Sequence, residues 1–429
     1  MRLICVLAAA VTTHDVPLIA TIAVSLAFAF VGGLLAVRLR LPPLIGYLLA
    51  GIVVGPFTPG FVADAHLAPQ LAEIGVILLM FGVGTHFSIR DLIAVRRMAL
   101  PGAFTQIVVA TALGAGLAIL WDWSLGTGII FGLSLSVAST VVLLRALEDR
   151  NMIESSDARI AIGWLVVEDL LMVLTLVLLP ALAGVMGGHA PGDTDNASVW
   201  PALGITTGKV VVFMGLMLFA GVRFFPWLLS YVERTGSREL FTLAVIALAL
   251  GVAFGSAKLF GVSFALGAFF AGVVVNESDL SHRAAKDLQP LQDAFTVLFF
   301  VAVGMLFDPS ILLRQPLRVV AVLAIIVFGK SLAAFGIVRA LGGSTRTALI
   351  VSAALAQIGE FSFILAALGV KLGLLPAEGL NLIVAGALLS ITFNPAVFSA
   401  IAAAGRLTKY PACRDTRRWN ASKEVTIKK

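Results

Sequence analysis

The sequence of 429 residues is 59% hydrophobic, and only 13% of its residues are charged. Soluble domains carry about 25% charged residues, and the mean hydropathy of this chain is +1.03. These values exclude a soluble enzyme and indicate an integral membrane protein. The net charge of +6 does not require a nucleic-acid partner, because basic loops on one side of a membrane account for it.

Apolar runs as long as a membrane-crossing helix recur along the whole chain. About 20 apolar residues cross the roughly 30 Å hydrocarbon core as a helix, and the alternating pattern of a transmembrane barrel is not seen. The sequence therefore predicts an all-α polytopic membrane protein with about thirteen spans. Twelve spans are the alternative, because the second and ninth are short and the seventh carries Lys209 near its start. The predicted spans are 17–36, 43–59, 70–87, 99–121, 126–147, 158–186, 200–226, 238–257, 260–276, 291–306, 315–340, 346–370 and 379–404.

Basic residues alternate between rich and poor loops. The loops after odd-numbered spans hold most of the Arg and Lys residues, for example Arg96 and Arg97 after the third span and Arg339 and Arg346 after the eleventh. Cytoplasmic loops of membrane proteins carry the excess of Lys and Arg. We therefore expect the N-terminus outside and the C-terminus in the cytoplasm.

The chain contains an internal repeat. Two stretches align with later ones at an offset of 220 positions: LLMFGVGTHFS (78–88) with LFFVAVGMLFD (298–308), and GLSLSVASTVVLL (132–144) with SAALAQIGEFSFI (352–364). The offset covers seven spans, and an odd number inverts the second copy in the membrane. Inverted repeats, here about 70–186 and 290–404, are typical of secondary transporters whose substrate site lies between discontinuous helices.

Both repeat copies carry polar residues at the same place in the middle of a span. These residues are Ser136, Ser139 and Thr140 in SVAST, and Gln357, Gly359 and Glu360 in AQIGEF. They can hydrogen-bond a backbone that has left the helix, so we predict two crossed, discontinuous helices. Small residues that only permit close helix packing are the alternative, and the shared repeat position favours the breaks.

Four ionisable residues lie inside predicted spans: Glu168 and Asp169 in the sixth, Lys330 in the eleventh and Glu360 in the twelfth. Each costs about 2.5–3.5 kcal/mol at the bilayer centre on insertion scales, so we expect a role in ion or proton transport. Neighbouring helix residues point about 100° apart, so one of the two adjacent acids is expected to be the ligand. Lys330 is expected to supply the counter-charge when no cation is bound, and a buried ion pair that only fixes helix register is the alternative.

A buried carboxylate of this kind carries either a proton or a cation, and that competition is sufficient for antiport. The sequence has no zinc-ligand spacing, no nucleotide-binding loop after a strand and no catalytic Ser, His and Asp constellation. We therefore predict a transporter without a cofactor rather than an enzyme.

Several long motifs occur in the order typical of one transporter family. They are IGYLLAGIVVGPF, LAEIGVILLMFGVGTHFS, LSVASTVVLLRALEDR, VVEDLLMVLTLVLLP, VSFALGAFFAGVVVNES, LFFVAVGMLFDPS and AQIGEFSFIL. From about residue 15 to 405 the sequence resembles the Kef-type monovalent cation:proton antiporters of the sodium/hydrogen exchanger superfamily. The resemblance implies a transmembrane antiporter domain over 15–405, with the sodium/proton antiporter fold and a homodimeric assembly.

The resemblance also implies roles for individual residues. Asp169, the second acid of VVED, matches the aspartate that binds the ion, and Glu168 stands where Kef-type relatives often carry glutamine. That difference leaves open whether the cation meets one carboxylate or two. The other expected site residues are Ser139 and Thr140 in the first unwound segment, Gln357, Gly359 and Glu360 in the second, and Lys330 as the basic residue paired with the aspartate.

The two ends of the chain differ from the family pattern. Kef-type proteins usually continue into a nucleotide-binding regulatory domain, but residues 406–429 are fewer than the roughly 30 that one βαβ unit needs. We expect a short basic cytoplasmic tail over 406–429 without a regulatory domain, and a disordered leader over 1–14.

The function expected from these features is exchange of a monovalent cation, potassium above all, for protons across the bacterial inner membrane. Sodium is an alternative, because both are hard cations that carboxylate, hydroxyl and carbonyl oxygens bind. A cation channel is a second alternative, in which the same polar breaks line a pore.

Overall fold

The structure is a computed structural model that describes residues 17–39, 41–58, 67–85, 89–148, 150–153, 155–188 and 199–403. All regular secondary structure in these ranges is helical. The expected leader and the expected basic tail lie outside the described residues.

The described residues contain eighteen α-helices. They are α1 (Pro17–Arg38), α2 (Pro43–Val54), α3 (Leu67–Thr85), α4 (Ile89–Ile119), α5 (Leu125–Ser136), α6 (Thr140–Glu148), α7 (Ser156–Leu182), α8 (Val199–Leu216), α9 (Val222–Glu233), α10 (Arg238–Phe260), α11 (Phe264–Asn276), α12 (Ser281–Met305), α13 (Ile311–Arg314), α14 (Pro316–Ala324), α15 (Lys330–Ala340), α16 (Thr345–Leu355), α17 (Glu360–Lys371) and α18 (Ala377–Ala403). Short π-helical turns join α8 to α9 and α14 to α15.

The apolar helices confirm the prediction of an all-α polytopic membrane protein. Among the described residues, 10 helices are long and apolar enough to cross a membrane, or up to 11 if α16 and α17 form one bent span. The predicted second and ninth spans correspond to the shorter apolar helices α2 and α11. The total of thirteen spans stays a prediction.

Most of the helices form two bundles, and within each bundle the offset of 220 positions relates earlier helices to later ones. In the first bundle, α2 packs on α1 and α12, and α11 packs on α10 and α3. The two central helices α3 and α12 also pack on each other. The offset of 220 positions relates α1, α2 and α3 to α10, α11 and α12, so the correspondence begins before the expected repeat bounds. Exchanging these two sets of helices leaves the contacts unchanged, as expected for a pseudo-twofold repeat.

Glycines allow the close helix approaches of the first bundle, and they occur in equivalent pairs. A Cβ atom added to Gly51 of α2 would lie 2.9 Å from the Cα of Gly304 on α12. A Cβ atom added to Gly84 of α3 would lie 2.9 Å from the Cα of Gly272 on α11. Small residues at such crossings let backbones approach in a membrane, where dispersion forces drive helix association.

The second bundle contains α4 to α7 and α14 to α18. Helix α4 packs on α5 and α7, and the equivalent α15 packs on α16. Ser331 and Ser352 join α15 to α16 by exchanging hydroxyl hydrogen bonds to each other's carbonyl oxygen, both at 2.9 Å. The two discontinuous helices, α5 with α6 and α16 with α17, lie in the interior of this bundle.

Replacing Gly304 by Ala tests the close packing of α2 on α12. The added Cβ would lie 3.0 Å from the Leu48 carbonyl carbon and 3.0 Å from the Gly51 Cα, and these backbone atoms cannot rotate away. We expect a loss of about 1–3 kcal/mol of stability, measured as a lower thermal midpoint of the purified protein in detergent.

Gly116→Ala is the matched control for this prediction. Gly116 lies in α4, and a Cβ added there meets nothing within 4 Å. A helix-interior alanine is favoured over glycine by about 1 kcal/mol, so the midpoint should stay level or rise. Equal midpoints for the two variants would contradict the packing argument.

Candidate ion-binding site at the helix crossing

Two helices break inside the second bundle, and their broken segments contact each other. Residues 137–139 separate α5 from α6, and residues 356–359 separate α16 from α17 with a bend of 45°. The Gly359 N–H donates to the Val137 carbonyl at 3.2 Å. A Cβ on Gly359 would lie 2.9 Å from the Ser139 nitrogen, so only glycine allows this approach. The prediction of two crossed, discontinuous helices is confirmed.

The Gln357 side chain replaces backbone hydrogen bonds that the break removes. Its Oε1 accepts from the Ser139 N–H at 3.1 Å, and its Nε2 donates to the Ser139 and Ala354 carbonyls, both at 3.1 Å. The side chain is fully buried. Because unpaired backbone groups are costly in a membrane, Gln357 stabilises the non-helical conformation of both segments.

Lys330 lies next to the two broken segments and is also fully buried. Its ammonium donates to the Val137 carbonyl at 3.1 Å and to the Gln357 carbonyl at 2.9 Å. These two residues are equivalent in the repeat, and each follows the C-terminus of a half-helix. A helix C-terminus carries partial negative charge, so one ammonium stabilises both half-helix ends.

Glu168 faces the other side of the first break. It is fully buried, and its Oε2 accepts from the Ala138 N–H at 3.1 Å. Its charge and that of Lys330 act on each other. Glu168 therefore contacts the backbone of the broken segment through one oxygen, and its other oxygen, Oε1, is buried without a hydrogen-bond partner among the described residues.

The structure differs from the expected pairing of Lys330 with Asp169. The Lys330 ammonium bonds to carbonyls, and its acidic electrostatic neighbour is Glu168. The physical reason is that the freed carbonyls of both half-helices lie within reach of Nζ. Asp169, one helix position further on, points elsewhere.

Asp169 is half-buried, unlike its neighbour. Its Oδ2 accepts a hydrogen bond from the Thr140 hydroxyl at 3.1 Å, at the first residue of α6. The charged groups that act on it are the carboxyls of Glu360 and Glu168. Of the two adjacent acids, Asp169 is the one that an entering ion can reach.

Oxygen atoms are the groups that can hold an ion at the crossing. In the part of the chain that the structure describes, no three His, Cys, Asp or Glu side chains converge as metal ligands. The Asp169 carboxyl and Thr140 hydroxyl lie together, with the buried Glu360 carboxyl nearby. Such a set suits a monovalent cation that binds and leaves.

Two amide side chains at the breaks were not predicted. Gln106 of α4 donates to the Ser136 carbonyl at 3.1 Å, and Asn394 of α18 donates to the Ala353 carbonyl at 2.9 Å. Both are buried and cap the C-terminal carbonyls of α5 and α16. The signal available in the sequence was an uncharged amide inside an otherwise apolar span, which is costly unless it is hydrogen-bonded.

Residues 26–404 match the family described as "Sodium/hydrogen exchanger, transmembrane". The chain belongs to this family. It is 64% identical over 388 residues to "Putative cation/proton antiporter YbaL" of Escherichia coli K12, covering 90% of this chain and 69% of that protein. It is 32% identical over 391 residues to "K(+) efflux antiporter 4" of Arabidopsis thaliana, covering 91% of this chain and 64% of the plant protein.

A solved structure confirms the sodium/proton antiporter fold. The sodium proton antiporter MjNhaP1 from Methanocaldococcus jannaschii superimposes with a TM-score of 0.63 over 91% of this chain and 99% of that one, at 17% sequence identity. The predicted family, fold and transporter class are therefore confirmed. This protein is a multi-pass membrane protein of a cation/proton antiporter family and not an enzyme.

A double-mutant cycle tests the electrostatic link between Lys330 and Glu168. Lys330→Met leaves the Gln357 carbonyl without its donor, removes one of the two donors to the Val137 carbonyl, and removes the positive charge that acts on the buried Glu168. We expect a loss of stability of about 1–3 kcal/mol. Adding Glu168→Gln removes the uncompensated charge. We expect the double variant to have a higher thermal midpoint in detergent than Lys330→Met alone, and additive losses would contradict the link.

Proposed function

We propose that this protein is a secondary active antiporter that exchanges potassium for protons, with Asp169 as the group that alternately carries the proton and the cation. The observation that carries the proposal is the position of this acid. It is half-buried and bonded to Thr140 at the start of a half-helix, beside a crossing that holds no other accessible carboxylate among the described residues.

Competition for one carboxylate couples the two fluxes. When Asp169 holds a proton it cannot hold a cation. If the site moves between the two sides of the membrane only with a proton or a cation bound, each cycle exchanges one ion for the other. Glu168 takes a different part in this proposal. Its contact with the Ala138 N–H and its link to Lys330 fit a fixed charge that keeps the crossing in shape.

Movement of the second bundle against the first gives alternating access in this proposal. The bundles touch through α7 with α11 and through α18 with α2, which are equivalent pairs in the repeat. An inverted repeat permits two conformations of opposite direction that differ by a rigid-body shift. The crossing, held together by its own hydrogen bonds, would travel as one unit.

Potassium is the proposed cation because a 32% identical relative is a K(+) efflux antiporter by name. The fold match to a sodium proton antiporter is at 17% identity and does not decide between the two ions. We propose further that the protein is a homodimer of the bacterial inner membrane, with the N-terminus outside and the C-terminus in the cytoplasm. The distribution of Lys and Arg supports this orientation.

The central test is Asp169→Asn in proteoliposomes. This variant keeps the shape of the side chain but removes the group that takes a proton, so potassium-dependent dissipation of an imposed pH gradient should be lost. The measurement is the recovery of a pH-sensitive dye signal on addition of potassium, sodium or choline chloride at equal ionic strength.

Asp122→Asn is the matched control for this test. Asp122 is an exposed acid between α4 and α5 with a φ of 61°, a conformation that asparagine also tolerates. This variant should keep full activity. Potassium/proton exchange by the Asp169→Asn protein would overturn the proposed mechanism. Activity of the original protein with sodium alone would change the proposed cation. Currents far above the turnover of a carrier would support a channel.

Proton and cation competition also predicts the pH dependence of transport. As the pH falls on the cation side, protons occupy more of the sites, so the apparent KM for potassium should rise by up to about tenfold per pH unit for one competing proton. Saturating potassium should restore the maximal rate. An apparent KM that stays constant with pH would show that the two ions do not share a site.

A further inference from the structure

Glu360 has no part in the mechanism above, yet its environment is unusual. It is the first residue of α17, directly after the second break, and its side chain is 7% exposed. One carboxyl oxygen, Oε2, is buried and has no hydrogen-bond partner among the described residues. An unpaired buried polar atom is destabilising, more so when the group is charged. Glu168 also has one buried oxygen without a partner, but the Lys330 charge acts on that acid, whereas no basic side chain in the described ranges acts on Glu360. The unpaired Glu360 oxygen therefore indicates a partner that the described residues do not supply.

The hydroxyls of the first break connect Glu360 to Asp169. Thr140 donates to Asp169 at 3.1 Å, and the side chain of the preceding residue, Ser139, interacts with the Glu360 carboxyl. Glu360 is also the charged group that acts most strongly on Asp169. The side chains of the consecutive residues Ser139 and Thr140 thus interact with two different acids, Glu360 of α17 and Asp169 of α7.

No basic side chain of the described residues neutralises this pair of acids. The Lys330 ammonium is held by two carbonyls and acts on Glu168. The ion pairs within 4.0 Å in the described ranges do not include Glu360 or Asp169. Two carboxyls and two hydroxyls without a counter-charge form a set of hard oxygen ligands, which is what a small monovalent cation requires.

We propose that Glu360 is the second carboxylate ligand of the transported cation, which binds between Asp169 and Glu360 against the hydroxyls of Ser139 and Thr140. This inference rests on the proposed function and specifies its site. The cation then meets two carboxylates, but the second one comes from the other repeat copy and not from Glu168. A bound cation would connect the start of α17 to α7, so that each repeat copy contributes one carboxylate ligand.

Binding is measured apart from transport, as the rise of the thermal midpoint in detergent when potassium chloride replaces choline chloride. A ligand that binds only the folded protein stabilises it in proportion to the logarithm of its concentration over Kd. In Glu360→Gln the potassium concentration for half-maximal stabilisation should rise at least about tenfold, as expected for the loss of a charged contact. Glu360→Asp, which keeps the charge, should lie between this variant and the original protein.

Glu148→Gln provides the matched control, because Glu148 is an exposed acid at the end of α6 and should leave the potassium response unchanged. A potassium response that is unaltered in both Glu360 variants would overturn the inference. So would a Glu360→Gln protein in proteoliposomes with a lower maximal rate but an unchanged apparent KM, because that result describes a structural role.

The outcomes also separate this inference from the proposed function. If the original protein gives no potassium response, or Asp169→Asn responds like the original, the proposed function fails and this inference fails with it. If Asp169→Asn abolishes the response and Glu360→Gln keeps it, only the second ligand is wrong.

Discussion

A helix that breaks inside a membrane releases backbone groups that water does not reach, and the Lys330 ammonium takes two of them. It bonds to the carbonyls of Val137 and Gln357, which follow the ends of two half-helices. Without this donor the Gln357 carbonyl would lose its hydrogen bond and the Val137 carbonyl would keep only the Gly359 N–H, in a low-dielectric interior where unpaired polar groups are costly. The crossing, the position of Glu168 and the exposure of Asp169 all depend on this contact. A lysine is suited to it because a single ammonium has three donors.

The same need for partners explains the other polar residues of the second bundle. Gln106 and Asn394 cap the last carbonyls of α5 and α16, and Gln357 pairs with the backbone of the opposite segment. Three amide side chains thus hold the backbone of the two breaks in place. In the proposed function, this framework leaves Asp169 and Glu360 as the groups whose oxygens exchange partners.

Sequence reasoning located the two breaks because the repeat aligned polar residues that are rare in apolar spans. It paired Lys330 with Asp169, whereas the ammonium bonds to two carbonyls. Every residue has a carbonyl, and which carbonyls are free depends on the single residue where each helix ends. The sequence also does not tell which of Glu168 and Asp169 is fully buried, because a rotation of the helix by about 100° exchanges their positions. The glycine contacts of the first bundle also required the structure, because they join residues such as Gly51 and Gly304 that lie far apart in the chain.

The helices of the two repeat copies correspond in position, but the charged residues that they carry differ. At the offset of 220 positions, Glu168 and Asp169 correspond to Leu388 and Leu389, and Lys330 corresponds to Ala110. A symmetric crossing with acids in both copies of α7 would place several like charges in one dry interior, where their repulsion is strong. A single set of charges on a repeated scaffold avoids this repulsion. In the proposed function, it gives one cation site that both repeat copies help to form.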